Sequence, residues 1–176
     1  MHSRGFPPVA GADSRVLVLG TLPGPRSLQM RQYYAQPRNA FWPIMGRLFG
    51  AYPELAYPAR LAVLKKHRVA LWDVCHAAFR PGALDAAIDT ASIVPNDLDR
   101  FLKSHRRIRL ICFNGRTAEK LYRRLVLPGL PESRRGIPGT TLPSTSPAYA
   151  AMRFEEKLQH WEVVRRESGG WGDDRC

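Results

Sequence analysis

Three short runs with apolar residues at almost every position constrain this chain more than anything else in it. Residues 15–20 contain Val16-Leu17-Val18-Leu19, residues 69–74 read Val-Ala-Leu-Trp-Asp-Val, and residues 108–113 contain Leu110-Ile111-Cys112-Phe113. Successive side chains of a β-strand face opposite ways, so a run without polar alternation is buried on both sides. Such strands belong inside a parallel sheet, and parallel strands need crossovers that are usually helical. Helical spacing follows each run. Phe41, Ile44, Met45, Leu48 and Phe49 recur at i, i+3, i+4 within residues 38–49, and Phe154, Leu158, Trp161 and Val164 form one stripe within 148–167. Further helices are expected over 58–67, over 96–105 with Asn96 or Asp97 as cap, and over 117–125. Pro43 fits its helix only in the first turn. A fourth strand is expected at 140–143, after a loop at 128–139 rich in Pro, Gly and Arg. The expectation is an α/β fold with one domain over 15–167, an irregular lead-in over 1–14 and a flexible tail over 168–176.

Folds of this kind bind ligands beyond the C-terminal ends of their parallel strands. Those ends are residues 21–24, Asp73, Asn114 and residues 144–147, and the unusual residues gather there. Residues 33–42, Tyr-Tyr-Ala-Gln-Pro-Arg-Asn-Ala-Phe-Trp, pack four aromatics, two amides and a base around one proline. An aromatic face can hold a base taken out of a duplex. On chemistry alone, ordinary packing of Tyr33 and Tyr34 and an N-cap role for Asn39 are the simpler readings, and Phe41 and Trp42 are core. The Gly20-Thr21-Leu22-Pro23-Gly24 turn can wrap a phosphate or sugar, but it lacks the Lys-Ser or Lys-Thr of a P-loop and the third Gly of a dinucleotide fingerprint. Asn114 before Gly115 can read a base edge or simply form a turn. Ser144, Thr145, Ser146 and Pro147 make a rigid hydroxyl-rich loop that can grip phosphates, or cap the next helix. Arg134, Arg135 and Arg153 can add phosphate contacts.

Charge supports a polyanionic partner. Lys and Arg number 27 against 15 acids, a formal net charge of +12, and counterion release draws such a protein to nucleic acid. A genome that favours Arg would leave the same mark on a solvated surface. Cys75, Cys112 and Cys176 are widely spaced and match no zinc or four-Cys cluster pattern, so no metal and no cofactor is expected. Cys75 and Cys112 lie in apolar stretches and read as buried thiols. No apolar run is long enough to cross a membrane, and no signal-peptide core follows the N-terminus, so the expected location is the cytoplasm.

Taken together, Leu19 to Gly24, Tyr33 to Trp42, Leu71-Trp72-Asp73-Val74, Phe113-Asn114-Gly115 and Leu142 to Ala148 resemble, in order, the uracil-DNA glycosylase superfamily, and most closely its hypoxanthine (deoxyinosine) DNA glycosylase branch. The resemblance spans residues 16–161. It implies a three-layer α/β/α sandwich around a four-stranded parallel sheet, with an extruded base held between the first-strand turn and Tyr34. Many members place an Asp or Asn in the first motif to position water; Thr21 and Leu22 stand there instead and would line the base. In the hypoxanthine branch the catalytic role falls to the Asn of Pro-Arg-Asn-Ala, which is Asn39. The resemblance puts Asn114 beside the base and Ser144, Thr145, Ser146, Pro147 and Arg153 against the DNA strand. Gly24 departs from the Ser expected in this branch, which bears on substrate preference.

The implied reaction hydrolyses the N-glycosidic bond of a deaminated base in single- or double-stranded DNA, leaving an abasic site. An amide is no strong base, so Asn39 would orient water or hydrogen-bond the leaving base. Asp73 would offset the cationic sugar or assist the water; as a strand-end residue it would equally serve as a cap or ion-pair partner. No Lys stands in these motifs to form a Schiff base, so strand cleavage is not expected. A monomer is expected. Uracil or mismatch specificity is the alternative within the family. A non-catalytic DNA or nucleotide-binding module is the alternative outside it, with an RNA-processing factor behind both.

Overall fold

In the computed structural model, residues 2–169 are described, so most of the expected tail, Cys176 included, lies outside the described residues. In chain order the elements are β1 (His2–Arg4), β2 (Val16–Gly20), α1 (Pro25–Met30), α2 (Phe41–Phe49), α3 (Tyr57–Lys66), β3 (Val69–Asp73), β4 (Cys75–Phe79) and β5 (Val94–Pro95). There follow α4 (Leu98–Ser104), β6 (Leu110–Asn114), α5 (Arg116–Leu125), α6 (Glu132–Arg135), β7 (Gly139–Leu142) and α7 (Phe154–Ser168).

The main sheet has the order β3-β2-β6-β7, with all neighbours parallel, as the unbroken apolar runs require. Alternate strand residues enter two separate apolar layers. Leu17, Leu19, Ala70, Trp72, Ile111 and Phe113 pack with Phe101, Leu121 and Tyr122 of α4 and α5. Val16, Val18, Val69, Leu71, Leu110 and Cys112 pack with Phe41, Leu64 and Trp161 of α2, α3 and α7. Each of these large side chains contributes roughly 1.5–3 kcal/mol when fully buried, so the two layers together fix the sheet between its helices.

Three local differences from the sequence reading have plain causes. Residues 2–4 form a strand where an irregular lead-in was expected, because β1 pairs antiparallel with β4, His2 opposite Phe79. With β5 on the other edge of β4, they make a small second sheet. These strands are too short to show periodicity. The loop at 128–139 contains the single turn α6, and Pro25 starts the short α1, an example of proline at the first helical position. The cap before α4 is Asp97, whose carboxylate accepts from Arg100 N–H at 3.0 Å. Asn96 instead donates its amide to the Asp73 carbonyl at 2.8 Å. Pro43 falls in the first turn of α2. No helix among the described residues is long and apolar enough to cross a membrane.

Candidate active site

The parallel strands end together, and the register sets what meets there. Gly20 lies opposite Asp73, and Asn114 opposite Leu142. A Cβ on residue 20 would collide with Asp73 Oδ1 and come within 3.1 Å of the Tyr34 hydroxyl. Glycine at 20 is thus the condition for a carboxyl and a phenol to share the floor of this end of the sheet.

Tyr34 reaches that floor through a left-handed backbone, φ 55°, which for a bulky side chain costs roughly 1–2 kcal/mol. Its surroundings hold it there. Trp42 Nε1 donates to the Tyr33 carbonyl at 2.8 Å, Tyr33 N–H to the Tyr57 hydroxyl at 3.0 Å, and Ala35 N–H to Ser27 Oγ at 3.1 Å. The Tyr34 ring stacks on Phe41 with centroids 4.0 Å apart. Burial, reinforced by the nearby Asp73 charge, pushes its phenol well above the usual range, with a hydrogen bond to Asn114 opposing. Tyr34 therefore remains a protonated donor. Tyr33, Phe41 and Trp42 are buried packing residues, as expected.

Asp73 is 4% exposed, and its Oδ2 has no hydrogen-bond partner among the described residues. Burial first, then the Asp85 charge, push its carboxyl up to about 8, while Arg80 works the other way. Among the described residues its carboxyl is neither the cap nor the ion-pair partner that a strand-end position suggests. The Arg80 guanidinium pairs with Asp85 instead, at 3.4 Å.

On the other side of β2 the polar groups are joined. Asn114 Nδ2 donates to Thr145 Oγ1 at 2.9 Å, and Thr145 N–H donates back to Asn114 Oδ1 at 2.9 Å. The Thr145 carbonyl accepts from Ala40 N–H at 2.9 Å, which draws the 33–42 segment to the strand ends. Asn39 Oδ1 accepts from Phe41 N–H at 2.9 Å, close to the capping role read from the sequence, although Ala40 takes the N-cap position itself. The Asn39 Nδ2 group keeps no partner among the described residues. Asn39 is therefore oriented through its oxygen and presents two donors.

The hydroxyl-rich loop is tied down from several sides. Trp161 Nε1 donates to the Pro143 carbonyl at 3.0 Å, and Lys157 Nζ to the Tyr149 carbonyl at 2.8 Å. Ser144 Oγ accepts from Ser146 N–H, and Ser146 Oγ from Ala148 N–H, both at 3.2 Å. Gly115, at φ 94°, leaves room for Ser144, whose Cβ would lie 3.1 Å from a side chain there. Pro147 and Arg153 are exposed beyond this frame, Arg153 at the N-cap of α7.

Other expected residues are placed differently. Leu22 is buried in the α4/α5 apolar layer, so its carbonyl, not its side chain, belongs to the turn. Thr21 is 4% exposed, and its hydroxyl lies beside the Asp85 carboxyl, which it lowers. Arg134 and Arg135 are taken up internally, the first by Asp99 at 2.6 Å and the second by the Leu130 carbonyl at 2.8 Å. Arg80, Asp85 and Lys157 were not foreseen. Lys157 stands three residues after Phe154, on the apolar stripe of α7, and that position is the signal that marks it. Among the described residues no group of three or more His, Cys, Asp or Glu could hold a metal ion.

The chain matches the model of the uracil DNA glycosylase superfamily over residues 7–167. A hypoxanthine DNA glycosylase of Methanosarcina acetivorans is 38% identical over 168 residues, covering 94% of this chain and 99% of that protein. A hypoxanthine DNA glycosylase of Methanosarcina barkeri is 36% identical over 117 residues, covering 66% of this chain and 73% of that protein. The solution NMR structure of a candidate uracil DNA glycosylase from Methanosarcina acetivorans superposes with a TM-score of 0.77 at 34% identity, covering 94% of this chain and 98% of that one.

Proposed function

The chain belongs to the uracil DNA glycosylase superfamily, and from that premise we propose that it is a monofunctional DNA glycosylase that excises hypoxanthine from DNA. Support for the base comes from the two hypoxanthine DNA glycosylases that it resembles at 36–38% identity. The observation that carries the site is the chain of bonds from Asn114 through Thr145 to Ala40, which brings the unpartnered amide of Asn39 to the ends of the strands.

Leaving of the base makes an oxocarbenium-like sugar and an anionic purine. Water adds to the anomeric carbon, its displaced proton ends on the base, and the product is an abasic site in an unbroken strand. Asn39 donates through Nδ2 to the departing base or fixes the water; in either role its effect is greatest as charge develops. The Tyr34 ring faces the extruded base, and its hydroxyl donates beside Asp73. The Asp73 carboxylate offsets the cationic sugar or accepts the water proton, so excision should climb as pH rises through about 8. Thr21 and Asn114 line the base, while Ser144, Ser146, Pro147 and Arg153 meet the strand, with Thr145 holding their loop. No residue of these motifs is a Lys, so the sugar is not trapped as a Schiff base.

Labelled duplexes carrying hypoxanthine or uracil, followed by alkali, test this reading. Breakage only after alkali, and faster on hypoxanthine, is expected. Preference for uracil would move the base specificity. Tight binding without abasic product would make the protein a DNA-binding module instead.

A further inference from the structure

Arg80 is 2% exposed, a rare condition for arginine. It follows β4 and turns inward beneath the turn that ends β2. Nη2 donates to the Pro23 carbonyl at 2.5 Å and Nη1 to the Leu22 carbonyl at 3.3 Å. Nη1 also lies 3.4 Å from Asp85 Oδ1, and Nε has no partner among the described residues. A trans peptide directs its carbonyl and its N–H to opposite sides. With the Pro23 carbonyl drawn onto the guanidinium, the Gly24 N–H is aimed away from it. A Cβ at Gly24 would meet nothing within 4 Å, so the turn is open on that side.

We propose that Arg80 is a positioning residue for base excision: it clamps the 22–24 turn from beneath and balances Asp85 behind Asp73, without touching the substrate itself. The proposal deepens the glycosylase reading and rests on it for the identity of the reaction. Its two effects are separable. The clamp sets the shape of the turn through two carbonyls. The charge acts on Asp73, which faces Tyr33, Tyr34, Cys75, Asp85 and Arg80. In that group Arg80 is the counterweight to Asp85: Asp85 raises the Asp73 carboxyl and Arg80 lowers it.

Arg80→Gln, Arg80→Lys and Asp85→Asn, in the full chain, test this. Single-turnover excision of hypoxanthine is followed across pH 6–10, with duplex Kd, Tm, and the carboxyl carbon titration of Asp73 by NMR. Arg80→Gln should slow excision roughly 10- to 100-fold through loss of turn geometry, with duplex Kd within about threefold. Its Asp73 titration should move to higher pH, and that of Asp85→Asn to lower pH. Arg80→Lys should return the titration toward wild type while recovering only part of the rate, since an ammonium restores charge but not the two-carbonyl fork. Excision by Arg80→Gln within twofold of wild type would overturn the proposal. So would unmoved Asp73 titrations, or a rate loss that only tracks a fall in Tm. If the wild-type chain excises neither base, the glycosylase reading fails, while the opposite titration shifts still decide whether Arg80 and Asp85 balance Asp73.

Discussion

Around Asn114, the half-buried amide and the Thr145 hydroxyl and N–H satisfy one another, and the loop that they hold is fastened again by Trp161 and Lys157. Two strands away, around Asp73, Asp73 Oδ2 and Arg80 Nε are buried with no hydrogen-bond partner among the described residues. A buried polar atom without a partner costs free energy that an apolar replacement would not. One half of this site is therefore built for rigidity, and the other keeps buried polar atoms at a cost in stability. Such groups are retained where binding or chemistry uses them.

The difference can be broken or sharpened by substitution. Asn39→Ala should slow excision on the order of 10³-fold, while losing only the bond to Phe41 N–H and about 1 kcal/mol of stability. Single-turnover rates beside a urea titration check this, and full activity would remove Asn39 from the mechanism. Asn114→Ala should cost about 3 kcal/mol, because the Thr145 N–H and hydroxyl are left unpaired; a loss below about 1 kcal/mol would mean the joined half is not held by this pair. Asp73→Asn should have the opposite sign. The folded carboxyl lies above its ordinary 3.8, so the stability that its neutral form contributes is whole below 3.8 and lost as pH rises through about 8. At pH 9 the Asn variant should thus be more stable than wild type, and slower in excision. Thermal melts at pH 5 and pH 9 give both signs. The smallest effect is expected from Thr21→Val, which removes, at nearly constant volume, the hydroxyl beside the Asp85 carboxyl. A change of under about 1 kcal/mol in urea unfolding should appear, and a larger loss would show that this hydroxyl holds the turn.

The same contrast explains how much could be read in advance. Three of the four parallel strands announced themselves through apolar continuity, the strand ends then pointed to Asp73, Asn114 and the Ser-Thr-Ser loop, and the family resemblance added Asn39 and Tyr34. Arg80 and Asp85 gave no comparable signal. They follow a five-residue strand of the small antiparallel sheet, and only the folding of that hairpin over the 22–24 turn brings them behind Asp73. The environment of Asp73 was equally hidden, because burial is a property of the packed elements and not of the residue. Leu22 was placed differently for a related reason: its motif position suggested a base contact, while in the packed turn its side chain enters the α4/α5 core.

The pairing of Gly20 with Asp73 also has a consequence for descent. Any side chain at 20 lands on the carboxyl and the Tyr34 hydroxyl, so neither position can drift alone. A lineage that abandons the acid frees residue 20 to vary, and one that gains a side chain at 20 must first surrender the acid. The two positions are expected to change together among relatives.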